Sequence, residues 1–310
     1  MSDTLLDRAV YDRPGHLRWG WRIVLFLLAG IAASNVGVPL VQMLLPAVVT
    51  PWVNAALQCA AVAVATWYAV SSLEHGGWAR VALDLRAWRP SLLLAGAAVG
   101  AVAIGVPIAL LVLRGDLTFT DAPAGGVLRA LLLSVVILAP AAMTEELMFR
   151  GYPFVVLRER WGWPVAVALT SVTFGALHLG NPGVTPLAIA NVVSAGVFLA
   201  GVRLVTGSLA AAWAAHFAWN WTMSAGFHTA VSGLPFETPG YRLVDSGPDW
   251  LSGGAWGPEG GVVAAVGMIG TFTVLSQVTK RSRRAAPGLA APTPVSFNTA
   301  GPLDRREHQA

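Results

Sequence analysis

Two adjacent carboxylates, Glu145 and Glu146, and the cation Arg150 lie within six residues of one another in the stretch MTEELMFRGYPF. Apolar runs such as LLLSVVILAPAA and PVAVALTSVTFGAL flank this stretch on both sides. A charge near the centre of a membrane helix costs at least about 2.5 kcal/mol, so such a residue usually serves a function. Among the acidic residues only these two fall inside an apolar run, and they are the first candidates for chemistry.

The spacing of these charges predicts different roles for the two acids. Glu146 and Arg150 are four residues apart with the acid first, which is the favourable order for an ion pair along a helix. Glu145 points about 100° away from Glu146 around the helix, and no cation lies four residues from it in the sequence. A carboxylate without a cation in a poorly hydrated site can take a proton from water, so Glu145 is the candidate general base. The alternative is a purely structural ion pair that fixes helix packing.

Two histidines inside apolar runs add further groups to the same predicted site. His178 ends the sequence FGALH, and His216 opens HFAWN, in which Asn220 follows by four residues on the same helix face. Glu145 lies 17 residues before Gly162 and His178 lies 16 residues after it, so a hairpin at that glycine brings them level. A lone histidine in a span is often only a satisfied core group. Two at matching depth predict a polar cavity that holds water between helices.

The elements that position these residues are predicted from composition and apolar runs. Of the 310 residues, 55% are hydrophobic and 12% charged, about half the charge of a typical soluble domain. Crossing a bilayer core takes about 20 apolar residues. The sequence therefore predicts an all-α, polytopic membrane helical bundle of about eight transmembrane helices, at residues 21–44, 52–73, 90–113, 127–157, 163–179, 186–204, 209–227 and 261–278. The fourth run is too long for one straight span, and Pro140 and Gly151 with Pro153 are the predicted places for a kink or break.

The distribution of cations predicts the orientation in the membrane. In an eight-span chain the cationic clusters all fall on one side, at Arg13, Arg18 and Arg22, at Arg80, Arg86 and Arg89, at Arg158 and Arg160, at Arg203, and from Lys280 to Arg284. By the positive-inside rule this side is cytoplasmic, with both termini. The predicted organisation is a cytoplasmic tail at 1–20, a transmembrane domain at 21–279 and a disordered tail at 280–310. The bias towards Ala, Gly, Arg and Trp favours a bacterial plasma membrane.

Three motifs, in order, resemble those of the CPBP intramembrane protease family, which includes the type II CAAX prenyl endopeptidases and bacteriocin-processing and self-immunity proteins. EELMFR fits EExxxR, FGALH fits FxxxH and HFAWN fits HxxxN, all within a predicted protease core at 127–227. The resemblance implies an eight-helix intramembrane endopeptidase. It also implies a role for each motif residue: Glu145 activates a water, His178 assists it, His216 and Asn220 steady the oxyanion, and Glu146 and Arg150 hold the motif helix in place.

Metal dependence is left open by the residues. Glu145, His178 and His216 form a sufficient ligand set for a catalytic zinc ion, which could lower the pKa of its bound water to about 7. The sequence contains no HExxH. The family resemblance favours a metal-free glutamate mechanism, with no certain cofactor and zinc as the alternative.

The predicted partners are the lipid bilayer and a membrane-associated peptide or protein substrate. The net charge of +4 is accounted for by loops and tails that face lipid headgroups, and no nucleic-acid partner is predicted. Two other functions remain open. The first is a non-catalytic immunity or scaffold protein that binds a peptide or partner in the same cavity. The second is a small-solute or proton transporter, which would usually show two related halves, whereas the polar residues here cluster in one region.

Overall fold

A computed structural model describes residues 9–13, 16–46, 50–236 and 240–285, with side chains to residue 278. This part of the chain is mostly helical, which confirms the predicted all-α membrane bundle. The main helices are α1 (Trp19–Leu44), α2 (Pro51–Leu73), α3 (Pro90–Arg114), α4 (Val127–Glu146), α5 (Tyr152–Leu177), α6 (Pro186–Thr206), α7 (Leu209–Trp221) and α8 (Val262–Ala285).

Five helical segments of the described residues are long and apolar enough to span a bilayer, namely α1, α2, α3, the stretch Val127–Leu177 that contains α4 and α5, and α6. These segments make the chain an integral membrane protein. Each predicted apolar run falls on a helix, but α7 is short and α8 has only the apolar part Val262–Val278, so the count of eight crossings stays a prediction. Because α8 continues to Ala285, the first residues of the predicted tail at 280–310 are helical. The rest of that tail and residues 1–8 lie outside the described residues.

The chain leaves regular helix directly after the glutamate pair. A π-helical turn, Leu147–Gly151, follows α4, and Gly151 has a ψ of −125° that no helix continues. Pro153 lies in the first turn of α5, where its missing N–H is not needed. Gly162 has φ 83° and ψ 169°, so α5 changes direction at the glycine predicted to be a turn. Pro140 lies within α4. The predicted break therefore occurs at Gly151, and π-helical turns of this kind are frequent at functional sites.

A glycine and a serine separate α6 from α7. Gly207 ends α6 in the left-handed region at φ 69°, which glycine adopts without strain. Ser208 then caps α7 by accepting a hydrogen bond from the backbone N–H of Ala211 at 3.0 Å. The Ser208 hydroxyl also donates to the carbonyl of Ala87 at 2.9 Å, which ties the start of α7 to the loop between α2 and α3.

The helix that carries the third motif packs on α3 at very close range. Gly96 and Gly100 of α3 face the carbonyl oxygens of Ala211 and Ala215 in α7, where an added Cβ would lie at 2.2 and 1.9 Å. Small residues four apart allow membrane helices to approach this closely. Because His216 follows directly in the chain, this contact fixes the position of the third motif.

Two apolar clusters surround the motif helices. The larger lies between α3, α6, α7 and α8 and includes Ile104, Phe198 and Met268. The second packs Phe26 of α1 and residues of α2 against Leu147 in the π-helical turn. The turn after the glutamate pair is therefore held by the first two helices.

Loops from distant parts of the chain meet at one end of the bundle. Strand β3 (Leu117–Asp121), after α3, pairs antiparallel with β4 (Tyr241–Asp245), in the long loop after α7. The helices α3 and α7 must therefore end on the same side, as the predicted topology requires. A separate ribbon of two short strands, β1 (Tyr11–Arg13) and β2 (His16–Leu17), precedes α1.

An ion-pair network joins α1, α2 and α5. One oxygen of Glu74 accepts a hydrogen bond from the Tyr152 hydroxyl at 2.7 Å and pairs with Arg22, while the other accepts from Arg80 at 2.8 Å. Glu159 of α5 pairs with Arg22 at 3.3 Å and with Arg80 at 2.7 Å. Two of the arginines used to predict orientation thus also hold helices together.

Candidate active site

Glu146 occupies the centre of the predicted site. Its side chain is fully buried, and its Oε1 accepts hydrogen bonds from Arg150 Nη1 at 3.0 Å and from His216 Nδ1 at 2.9 Å. The predicted ion pair between Glu146 and Arg150 is present across one turn, although the turn is π-helical. The contact with His216 joins α4 to α7, so the first and third motifs meet at this carboxylate.

His216 lies between the two acids. Its Nδ1 faces Glu146, and its Nε2 is 3.5 Å from Glu145 Oε2. The imidazole is 9% exposed, while the Glu145 side chain is 35% exposed and lines a cavity. The two neighbouring acids therefore occupy different environments. Glu145 has no cation of its own at ion-pair distance other than His216, among the side chains that the structure describes.

Phe174, the first residue of FxxxH, packs at the middle of the site. Its ring centre is 4.4 Å from the Arg150 guanidinium carbon, a cation–π distance. The centre of its ring is also 4.8 Å from the centre of the His178 imidazole and 6.0 Å from that of His216. The aromatic residue thus contacts all three motifs, a role that sequence reasoning did not assign.

The orientation of His178 follows from one backbone contact. Its Nδ1 lies 2.8 Å from the carbonyl oxygen of Phe174, and a carbonyl can only accept, so Nδ1 carries the hydrogen. In the neutral ring Nε2 is then an acceptor. His178 also lines the cavity, and the unprotonated nitrogen is the one free to accept a proton or a hydrogen bond from a water molecule.

A cavity of about 480 Å³ joins the motif residues. Glu145, His178, His216 and Asn220 all line it, so the structure brings together the four groups that were predicted to surround a water molecule. The other lining residues are mostly apolar side chains from α4, α5, α6, α7 and the long loop before α8. This volume is within the usual range for a small-ligand pocket, about 300–1,000 Å³, and can hold several water molecules or a short peptide segment.

Sequence reasoning missed a second polar group in this cavity. Glu259, which lies between the seventh and eighth predicted apolar runs, is 8% exposed and lines the cavity. Asn181, Asn191 and Ser232 line it as well. Asn191 was the available signal, because an asparagine inside an apolar run needs a hydrogen-bond partner. That partner is the backbone carbonyl of Glu259, at 2.9 Å.

The candidate metal ligands are not arranged as a metal site. Within the described residues no group of three or more histidine, cysteine, aspartate or glutamate side chains is placed to hold a metal ion. Of the three side chains predicted as alternative zinc ligands, Glu145 and His216 lie 3.5 Å apart, and His178 lines the same cavity. The geometry gives the zinc alternative no support.

Comparison with protein families agrees with the motifs. The family model described as type II CAAX prenyl endopeptidase Rce1-like matches residues 127–222. Over this segment the chain is similar to the CAAX protease family. The segment includes all three motifs, while α1, α2, α3, α8 and Glu259 lie outside it. Comparisons with curated proteins and with solved structures found no match. This match supports an intramembrane peptidase in general terms.

Proposed function

We propose that the chain is an intramembrane endopeptidase that hydrolyses a peptide bond of a membrane-associated substrate with a water molecule activated by Glu145. The observation that supports this best is the contact of His216 with both acids at the wall of the cavity. Arg150 neutralises Glu146, while Glu145 faces a cavity large enough for water and a peptide. The family match over 127–222 supports the same reaction class.

In this mechanism Glu145 takes a proton from water as the water oxygen attacks the carbonyl carbon of the substrate. His178 orients the water through Nε2, the acceptor nitrogen left by its contact with Phe174. The tetrahedral intermediate carries its negative charge on the former carbonyl oxygen. Asn220 and the Nε2–H of His216 donate to this oxygen. His216 is protonated in this step, because its Nδ1–H already donates to Glu146 and its Nε2 must also carry a hydrogen.

The intermediate then breaks down at the carbon–nitrogen bond. Glu145 returns its proton to the leaving nitrogen, which departs as an amine, and the carbonyl oxygen regains its double bond. The carboxylate is thereby restored, and one water has been consumed for one peptide bond cleaved. Glu146 and Arg150 take no part in proton transfer and hold His216 and the π-helical turn in position.

The proposed substrate is a peptide or protein held at the membrane, with both termini of the enzyme in the cytoplasm of a bacterial cell. The apolar lining of the cavity and its position among membrane helices favour a substrate that enters from the bilayer. Nucleic acid has no part in the proposed reaction.

The test compares membrane peptides in cells that express the wild type or Glu145→Gln. This substitution keeps the size of the side chain and removes the base, so products should fall about 10²-fold to 10⁴-fold, as expected for loss of general base catalysis. Asp121→Asn in β3 is the matched control, because it makes the same chemical change at an exposed site. If Glu145→Gln produces the wild-type peptides while a binding phenotype persists, the chain is a scaffold or immunity protein.

A further inference from the structure

A second carboxylate lines the cavity beside Glu145, and the proposed mechanism does not use it. Glu259 lies in the long loop between α7 and α8, yet it is 8% exposed. Its Oε2 accepts a hydrogen bond from Trp219 Nε1 at 2.9 Å, and its Oε1 accepts one from the Ser232 hydroxyl at 2.7 Å. The Ser232 backbone N–H also donates to Oε1. All three donors are uncharged.

Two asparagines hold the backbone around Glu259, one in α6 and one in the loop after His178. Asn191 of α6 donates to the carbonyls of Glu259 at 2.9 Å and Gly261 at 2.8 Å. Asn181, three residues after His178, donates to the carbonyl of Ser232 at 2.9 Å. The position of the Glu259 carboxylate is therefore set by α6, by α7 and by the loop after His178. Such support from several elements is expected of a binding group and not of a mobile loop side chain.

The charges that face the cavity are not balanced. Its lining contains Glu145 and Glu259 and, within the described residues, no lysine or arginine. The other titratable groups in the lining are His178 and His216, and His216 is engaged by the glutamate pair. Glu146 shows the usual arrangement for a buried acid, since Arg150 pairs with it. In the part of the chain that the structure describes, Glu259 has no such cation.

We propose that Glu259 is a specificity-determining residue that binds a cationic side chain of the substrate, an ammonium or a guanidinium group. The inference rests on the proposed peptidase function and adds to it the chemistry of one substrate residue. One lone pair of Oε2 is left over after the Trp219 contact, so the carboxylate can accept a further donor from within the cavity. The cationic side chain of the substrate then supplies the positive charge that no neighbouring residue of the described chain supplies.

The position of this subsite follows from α7. Trp219 lies three residues after His216, which advances it about 4.5 Å along the helix axis. Its ring nitrogen contacts Glu259, so the carboxylate lies roughly one helical turn and one side-chain length from the reacting groups. An extended peptide advances about 3.3 Å per residue. The cationic residue is therefore expected within about three residues of the cleaved bond.

The competing explanation is that Glu259 only anchors the loop to Trp219. Glu259→Gln alone does not separate the two, because its amide nitrogen would face the Trp219 N–H, donor against donor. The double variant Glu259→Gln with Trp219→Phe removes the charge without that conflict. Trp219→Phe alone removes the donor and keeps the charge, which makes it the matched control. Glu259→Asp retains the charge on a shorter side chain.

The experiment uses the purified full-length chain in lipid nanodiscs. N-acylated peptides with a randomised segment are cleaved and their products are sequenced by mass spectrometry. The best peptide is then made with lysine, norleucine or glutamate at the selected position. The wild type and Trp219→Phe should prefer lysine over norleucine by at least about tenfold, the size of one charge-assisted hydrogen bond. Glu259→Asp should retain part of the preference, and the double variant should lose it. The ratio of two peptides on one variant is unaffected by a uniform loss of folded enzyme.

A binding measurement separates this inference from the proposed reaction. The same peptides, labelled with a fluorophore, are titrated onto Glu145→Gln and onto Glu145→Gln with the double variant. Cation-dependent binding that disappears with Glu259 supports the subsite even if the wild type cleaves nothing. Cleavage by the wild type with the same lysine-to-norleucine ratio in the double variant overturns the subsite and leaves the peptidase function intact.

Discussion

At the scale of single residues, Glu145 and Glu146 show how one helix turn gives two adjacent acids different chemistry. Glu146 is fully buried and makes charge-assisted hydrogen bonds to Arg150 and His216. Glu145 is one-third exposed to the cavity, with only the longer contact to His216. Glu145 is therefore accessible to water in the cavity, whereas Glu146 is held in contacts that stabilise the structure.

This difference predicts opposite effects for two substitutions of the same type. Glu145→Gln should lower cleavage about 10²-fold to 10⁴-fold with little loss of stability. Glu146→Gln should lower the free energy of unfolding by about 3–5 kcal/mol, because it leaves the Arg150 charge buried without a partner. Thermal unfolding in detergent and peptide cleavage measure the two effects. Glu146→Leu with Arg150→Leu removes both charges and should be more stable than Glu146→Gln. A double variant less stable than the single one would show that the pair contributes more than it costs to bury.

At the scale of elements, the close contact of α3 with α7 should be essential for the site. A Cβ at Gly100 would lie 1.9 Å from the carbonyl oxygen of Ala215, so Gly100→Ala must push the helices apart. We expect a loss of about 1–3 kcal/mol in the free energy of unfolding, as for other overpacked contacts, and a larger loss of activity because α7 carries His216 and Asn220. Gly30→Ala in α1 is the control, since its Cβ would meet nothing within 4 Å. Equal effects at both positions would exclude the contact as the cause.

The ion-pair network at the ends of α1, α2 and α5 predicts a dependence of stability on pH. Burial alone would raise the pKa of Glu74, but the Tyr152 hydrogen bond and the charges of Arg22 and Arg80 outweigh it and lower the pKa below its ordinary value of 4.5. The folded state thus favours the ionised carboxylate. Its stabilisation is complete above the ordinary value and is lost as pH falls through the lowered one.

Melting temperatures in detergent should therefore decrease as the pH is lowered below 4.5. Glu74→Gln should start from a lower melting temperature at neutral pH and lose less on acidification, because it has no proton to gain. Other carboxylates titrate in the same range, so the comparison of the two slopes is the measurement. Parallel curves for the wild type and Glu74→Gln would contradict the assignment to this residue.

The helices and the Glu146–Arg150 pair of the candidate active site could be predicted because their signals are local in the sequence. Apolar runs mark membrane helices, and the i to i+4 spacing of Glu146 and Arg150 marks an ion pair. The contact of His216 with both acids, and the position of Glu259 in the cavity, depend on how α4, α7 and the long loop pack in three dimensions. The glycines at 96 and 100 were readable as a small-residue pattern, but the sequence does not say which helix they face.

At the scale of the whole molecule, the loops form two groups at opposite ends of the bundle. The β3 and β4 pairing joins the loop after α3 to the loop after α7. At the other end, the backbone N–H of Leu209 donates to the carbonyl of Ala82 at 3.0 Å, which joins the loop before α3 to the start of α7. The second group contains the arginine clusters, from which the positive-inside rule predicts that this end faces the cytoplasm. The long loop with Glu259, and with it the proposed cation subsite, is then expected on the opposite side.

The lone cysteine makes this orientation simple to test, because Cys59→Ser alone gives a cysteine-free chain. In that background Leu85→Cys, at a residue 92% exposed in the loop between α2 and α3, is expected in the cytoplasm. Thr120→Cys, at an exposed position of β3, is expected outside. A membrane-impermeant maleimide added to spheroplasts should label Thr120→Cys at once and Leu85→Cys only after the membrane is permeabilised. The reverse order would place both termini outside the cytoplasm and would show that the paired arginines of the Glu74 network do not direct insertion.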